Sequence, residues 1–322
     1  MYAERQPPRA KTSIAMFGCP GIVTAATLGT GPLRGMHVMD GTLYAVSGRY
    51  LYSVSSTHDV TQLGGQISGS GVVSMDDNGT ELGIVNGENG YIWDATSGFR
   101  LISDTDFHAA NTITFMDSFF LFDRAGTGQI FRSDQLDGTS YDGTAFTTAE
   151  SQSDDLLALK NHKQVLYALG KKSIELYGNA GAANMPFQRI PGATINRGLA
   201  GSYGLTDEDE SLFMLGNDRI AYRVNGRALQ RISTHGLEAT WQNYGTVADI
   251  VAFSYTWNGH KFICLTFPQI ASTWCYDIAS QLWHERVSHD RTGNSLGRWR
   301  ANCAAAAYAA PYTPLTLPTI TL

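Results

Sequence analysis

Short runs rich in Val, Ile, Leu, Tyr and Phe alternate with polar residues along most of the chain and are separated by clusters of Gly, Asn and Asp. Such runs read as β-strands, since a strand lying on a core shows one face to apolar neighbours and the other to water. The runs fall into groups of four. The first is GMHVM from Gly35, the turn Asp40-Gly41, TLYAVSG, YLYSVS after Arg49, and VTQLGG from Val60. The second is GVVSM, the turn DDNG at Asp76 to Gly79, TELGIVNG, GYIWDATSG and FRLISD. The third is NTITFM, the turn Asp117-Ser118, FFLFDRA, GQIFRSDQ and, further on, AFTTAES. The fourth is DLLALK, the turn Asn161-His162, KQVLYALG, KSIELYGNA and PFQRIPG. The fifth is GSYGLTD, an acidic turn, ESLFMLGN, RIAYRVNG and LQRIS, and the sixth is DIVAFSYT, the turn Asn258-Gly259, HKFICLTF, STWCYDIAS and LWHERVS.

Asp-Gly and Asn-Gly between apolar runs are hairpin signals, because a type I′ turn needs positive φ at both central residues. Each group therefore predicts a four-stranded antiparallel meander. Third strands share an aliphatic or small residue followed by an aromatic: Leu51-Tyr52, Ile92-Trp93, Ile130-Phe131, Ala221-Tyr222 and Cys275-Tyr276, with Ile174 to Tyr177 departing from the pattern. The last strands of the second, fourth, fifth and sixth groups repeat one phrase, FRLISD, FQRIPG, LQRISTHG and WHERVSHD. An arginine or glutamine among its apolar residues is what an outermost strand uses to refuse further pairing. Four strands recurring at roughly 40 residues or more is the period of a propeller blade, whose two apolar faces are buried only by stacking around an axis.

The prediction is thus an all-β chain forming a β-propeller of about six four-stranded antiparallel blades over residues 35–300. Residues 1–34 are expected to pack on the propeller or a neighbouring subunit through Ile14, Met16, Phe17, Ile22 and Val23, and 301–322 form a Pro/Thr/Ala-rich tail. A seven-bladed ring missing a unit and a pair of β-sandwiches fit the same strands. Two connections read as oversized, Ser133 to Phe146 and Gly178 to Gly201, and are expected to be partner-contacting loops.

Composition agrees with many strands and tight turns: 34 glycines and only 16% charged residues in 322. The net charge of −6 argues against phosphate attraction, which needs clustered cations. The densest basic groups, Arg5, Arg9 and Lys11 and then Arg298 and Arg300, read as solvated positions. Cys19, Cys264, Cys275 and Cys303 lack zinc-ligand spacing and read as scattered buried thiols in a reducing compartment. No run of 18 apolar residues exists, and the stretch from Ser13 to Cys19 is too short for a signal peptide's hydrophobic region.

Several motifs approach chemical signatures and fail. HERVSH places His284 and His289 five apart in an expected strand, where a helical zinc pair needs four. GTGPLRG has Arg34 where a dinucleotide fingerprint needs its third glycine. SMDDNGTE, Ser74 to Glu81, echoes an aspartate box but reads as a hairpin turn, and Asp207 to Glu210 as a solvated acidic loop. His37, His58, His108, His162, His235 and His260 share no spacing with a nucleophile. The sequence assigns no catalytic, cofactor-binding or metal residue and no cofactor, and so no enzyme.

Two stretches carry a resemblance: FGCPGIVTAATLGTGPLRGMHVMDGTLYAVSGRYLYSV from Phe17 and RGLAGSYGLTDEDESLFMLGNDRIAYRVNGRALQRIST from Arg197. They resemble the packaged DNA stabilisation proteins of P22-like short-tailed bacteriophages, their tail hub or nozzle proteins, with Cys19 where a threonine is expected. The resemblance implies a virion tail protein, assembled in the host bacterial cytoplasm. It implies a homo-hexameric ring below the portal and its adaptor protein, retaining packaged double-stranded DNA and forming part of the ejection conduit. Tail needle, fibre or tailspike proteins are the further partners, DNA passes without sequence-specific binding, and no membrane is involved. A carbohydrate-binding or glycan-degrading propeller, which needs Arg and carboxylates converging on one face, and a cellular scaffold propeller are the rivals.

Overall fold

The computed structural model describes residues 2–308 apart from 7, 9, 10, 20–22, 151, 153 and 291. Ile22, Arg9 and tail residues 309–322 lie outside the described residues. A hairpin of β1 (Tyr2–Arg5) and β2 (Ile14–Phe17) precedes six blades. Blade 1 holds β3 (Leu33–Met39), β4 (Thr42–Ser47), β5 (Tyr50–Val54) and β6 (Val60–Gly65). Blade 2 holds β7 (Ser74–Asp77), β8 (Glu81–Val85), β9 (Gly90–Asp94) and β10 (Gly98–Leu101). Blade 3 holds β11 (Ala110–Met116), β12 (Phe119–Arg124), β13 (Gln129–Asp134) and β14 (Asp137–Thr148). Blade 4 holds β15 (Leu156–His162), β16 (Val165–Gly170), β17 (Ile174–Asn179) and β18 (Phe187–Ile195). Blade 5 holds β19 (Leu205–Glu208), β20 (Ser211–Leu215), β21 (Ala221–Asn225) and β22 (Ala228–Arg231). Blade 6 holds β23 (Val251–Trp257), β24 (His260–Phe267), β25 (Ser272–Asp277), β26 (Leu282–His289) and a fifth strand, β27 (Ser295–Arg298).

Every blade is an antiparallel meander in sequence order, and the six stand in a ring as a six-bladed β-propeller. Strand alternation makes the core: Leu82, Ile84 and Tyr91 of blade 2 pack with Tyr44, Val46 and Leu51 of blade 1 in one buried cluster. Leu169, Ile174 and Leu176 of blade 4 likewise pack with Leu212, Met214 and Val224 of blade 5. Hairpin turns fall where φ is positive, at Asp40-Gly41 and Asn258-Gly259, and also at Lys163-Gln164 and Asp209-Glu210, where side chains less suited to that region occupy it.

The fourth blade turns at Lys163-Gln164 rather than at Asn161-His162, which end β15, and two further expectations need correcting. The stretch Ser133 to Phe146 is no oversized loop: β13 turns into β14 around Gln135-Leu136, and two register shifts let the long β14 bulge along its partner. The phrase beginning WHERVSHD is not outermost, because Ser295 and Arg298 pair outside it. A helix, α1 (His235–Gln242), stands between blades 5 and 6, its N-cap Thr234 accepting from the Leu237 N–H. Its Trp241 is fully buried with Leu215, Leu265 and Phe267.

Between blade 6 and blade 1, chain-terminal segments fill the seam. Tyr2, Cys19, Trp299 and Ala301 pack on the Phe253, Tyr255, Phe262, Cys264 face of blade 6. Ala26, Leu28, Cys303, Ala305, Ala307 and Tyr308 pack on blade 1. Tyr308 hydroxyl donates to the Val54 carbonyl and accepts from the Leu43 N–H. The β1–β2 hairpin stacks Phe17 on Tyr2 and leaves Ile14, Met16 and Phe17 exposed, as is Val23 after it.

Candidate functional site

The first strand of each blade lines the propeller axis, and these strands run in one sense, so the six hairpins that follow them share one end of the ring. Two side chains line the axial space at both of its ends. Arg34, buried at the start of β3, donates from Nε to Gly71 O (2.5 Å), from Nη1 to Gly48 O (2.9 Å) and from Nη2 to Ser68 O (2.9 Å). Burial pushes its pKa down from the usual arginine value, though the site holds it by three carbonyls. Tyr203, from the connection between blades 4 and 5, places its hydroxyl 3.2 Å from both Val72 O and Asn111 O. Its own carbonyl accepts from Ala252 N of blade 6 at 2.7 Å, and burial raises the phenol's pKa. One residue thus joins blades 2, 3 and 6 across the axis.

On the hairpin side lies a cavity of about 340 Å³, lined by His37, Asp76, Thr114, Lys160, Asp207 and Ser254. Toward the other end lies a second of about 420 Å³, lined by Pro32, Ser70, Asp249, Pro268, Arg298 and Asn302. Arg34, Val72, Ser202, Tyr203 and Val251 belong to both. At these volumes neither cavity comes near to admitting a duplex.

At the mouth of the first cavity His37 Nε2 lies 2.5 Å from Asp77 Oδ2 and 4.0 Å from Asp76 Oδ1. Burial pushes the Asp77 pKa up, but the His37 hydrogen bond and the Gly79 N–H outweigh it and hold the carboxyl below its ordinary value. Asp76 accepts from Phe115 N of blade 3 at 2.8 Å, so the aspartates tie three blades together. These three ligand atoms are close enough for one cation to bridge, and a short hydrogen bond already satisfies two of them. Sequence spacing carries no sign of this group, since His37 and Asp77 stand 40 residues apart and meet only because β3 and β7 are adjacent.

The other motifs resolve as structure. Asp207 to Glu210 end β19 and form its hairpin turn, with Asp207 and Glu210 exposed and each carboxylate paired: Asp207 with Lys160 at 3.1 Å, Asp209 with Arg223 at 2.9 Å, Glu208 with Lys261 at 3.2 Å and Glu210 with Lys163 at 3.2 Å. Cations from blades 4, 5 and 6 thereby neutralise the run. The Ser74 to Glu81 stretch is a hairpin whose Asn78 Oδ1 accepts the Thr80 and Glu81 N–H groups. Gly31 in GTGPLRG lies against the Gly48 backbone, where a Cβ would meet Gly48 Cα at 2.2 Å, so the glycine serves close chain approach. His284 and His289 lie on β26 as expected of a strand. The thiols are not scattered: Cys264 and Cys275 are directly opposed on β24 and β25.

The axial arrangement can pin blades and hold small polar groups, and its arginine spends its donors on carbonyls of the chain itself. No curated protein matches the chain. Among solved structures it is similar to PorZ of Porphyromonas gingivalis, a surface component of a type-IX secretion system, at 13% identity and TM-score 0.52, covering 88% of this chain and 35% of that one. It is also similar to the extracellular domain of a putative one-component system from B. thetaiotaomicron, at 10% identity and TM-score 0.55, covering 87% and 36%. The chain spans about a third of each, and at these identities the likeness shows the fold alone. A family model described as bacteriophage P22 Gp10, beta-propeller, matches residues 1–308. The chain therefore belongs to the phage stabilisation family of the P22 Gp10 β-propeller.

Proposed function

We propose that this chain is a subunit of the phage tail hub or nozzle, a homo-hexameric ring below the portal and adaptor proteins that retains packaged double-stranded DNA and forms part of its exit path. Tail needle, fibre or tailspike proteins dock on that ring. The observation that carries the reading is the family match across residues 1–308.

Two physical features support it. The cavities along the propeller axis hold only about 340 and 420 Å³, so a duplex-sized conduit has to be a space enclosed between several copies. A net charge of −6 also suits a wall along which DNA slides, since few cations are present to hold phosphates by counterion release. The glycan-degrading rival loses support because Arg34, the arginine on the axis, spends Nε, Nη1 and Nη2 on backbone carbonyls.

The test is composition and assembly. Purified particles should contain the chain in the tail fraction, and the isolated protein with its adaptor should sediment as a ring. A protein that stays monomeric with the adaptor and is absent from particles would overturn the proposal in favour of a cellular scaffold.

A further inference from the structure

Blade 6 contains a dithiol beside a buried cation that has no carboxylate. Cys264 and Cys275 are both fully buried, with their sulfurs 3.0 Å apart. The Ile278 N–H donates to Lys261 O, which makes that pair hydrogen-bonded, and the register runs unbroken from Phe262↔Asp277 to Phe267↔Ser272. By the antiparallel alternation Cys264 and Cys275 are then a non-hydrogen-bonded pair, the kind whose Cα atoms approach to about 4.5 Å, within disulfide reach.

Arg286 adjoins them and is 4% exposed. Its guanidinium carbon lies 5.0 Å from the Tyr255 ring centroid and 4.8 Å from those of Phe262 and Trp299, and its Nε donates to His284 Nε2. Nη1 and Nη2 are buried without a hydrogen-bond partner, and among the described residues no carboxylate lies in salt-bridge range. The aromatic cage offsets part of the cost of such a charge. The ionisable groups acting on it are Cys275, Tyr255, Cys264 and Cys19, and a thiol ionises more readily than a phenol. Burial pushes the Cys275 pKa up, but the Cys264 S–H and Arg286 pull it down further, whereas burial leaves Cys264 raised. The same guanidinium disfavours a metal cation among these sulfurs.

We propose that Cys264 and Cys275 are an oxidative modification site, converted by hydrogen peroxide into a cross-strand disulfide, with Arg286 favouring the thiolate of Cys275. The Cys275 sulfur attacks one peroxide oxygen, the O–O bond breaks, and the departing hydroxide takes a proton to leave as water, giving a sulfenic acid. The Cys264 sulfur then attacks the sulfenic sulfur. The S–O bond breaks, hydroxide leaves with the Cys264 proton as a second water, and the S–S bond forms. Two thiols and one peroxide thus give one disulfide and two waters. Peroxide is small enough for a buried pair. The product ties β24 to β25 in the blade on which the terminal segments seal the ring, and none of this depends on the phage reading.

The experiment exposes the full-length protein to hydrogen peroxide, alkylates it after unfolding, and reads intact mass and peptide mapping. The expected result is two of the four cysteines protected, an intact mass equal to the reduced protein plus two alkyl groups less about 2 Da, and a Cys264–Cys275 linked peptide. Arg286→Met should slow the reaction at pH 7 about tenfold. If that variant does not fold, wild type decides: the rate should reach half its plateau at a lower pH in the folded protein than in the urea-unfolded chain. Four alkylated cysteines after treatment, a link through Cys19 or Cys303, or a folded-state half-plateau pH no lower than that of the unfolded chain would overturn the proposal.

Discussion

Replacing Asp123 with asparagine should change how stability depends on pH. Asp123 is fully buried on β12, and its carboxylate accepts from the Thr112 N–H and hydroxyl at 2.7 Å each and from Asn111 Nδ2 at 2.6 Å. Burial outweighs these bonds and raises its pKa from 3.8 to about 7. From about pH 4 to 7 the unfolded chain therefore releases a proton that the folded one keeps, so stability falls as pH rises, by up to about 4 kcal/mol, and stays reduced above 7. His284 acts oppositely. Burial and then Arg286 lower its pKa from 6.5 to about 3, so folding loses stability as pH falls below 6.5. In wild type the two slopes oppose between pH 4.5 and 6.5. The amide oxygen introduced by Asp123→Asn can still accept both Thr112 bonds, and Asn111 can turn its amide over, so the variant removes the charge and keeps most of the contact. Between pH 4.5 and 6.5 the variant should gain about 2 kcal/mol more than wild type does, and His108, whose pKa burial also lowers, raises both curves alike. Urea midpoints from pH 4.5 to 8 measure it. The low-pKa carboxyls, Asp77, Asp207 and Asp290 among them, complete their contributions below this window in both proteins. Parallel wild-type and variant curves would refute the reasoning.

Tyr203→Phe should cost about 1–2 kcal/mol in chemical denaturation, because it strands the Val72 and Asn111 carbonyls that share its hydroxyl. Gly198→Ala should lower the thermal midpoint sharply, by about 3 kcal/mol equivalent, since its Cβ would meet the Lys171 carbonyl at 2.1 Å. Trp241→Ala should cost about 3–5 kcal/mol in urea titration and Trp241→Phe less than about 1.5, as the buried indole N–H makes no hydrogen bond.

The blades were legible because their determinants are local: strand alternation and turn residues such as Asp40-Gly41 and Asn258-Gly259 lie within a few positions of one another. The errors arose where a neighbour distant in sequence decides. Glycines and aspartates from Ser133 to Phe146 look like loop, yet Asp104 and Asp106 of the preceding connection accept the Tyr141 and Gly143 N–H groups and hold the stretch against the ring. The helix around Trp241 was hidden by Gly236 and a weak apolar stripe, and the packing of Trp241 between blades 5 and 6 secures it. The axis was illegible for the same reason. Arg34 looked like a failed fingerprint position, and its bonds reach Gly48, Ser68 and Gly71. Tyr203 had no sequence signal at all.

The most direct measurement of the central claim is nuclease sensitivity of packaged DNA in particles assembled without this chain, with and without the purified protein added back. DNA that leaks from deficient particles and regains protection on complementation is the expected result. DNA that remains fully protected in the chain's absence would contradict a role in retaining it.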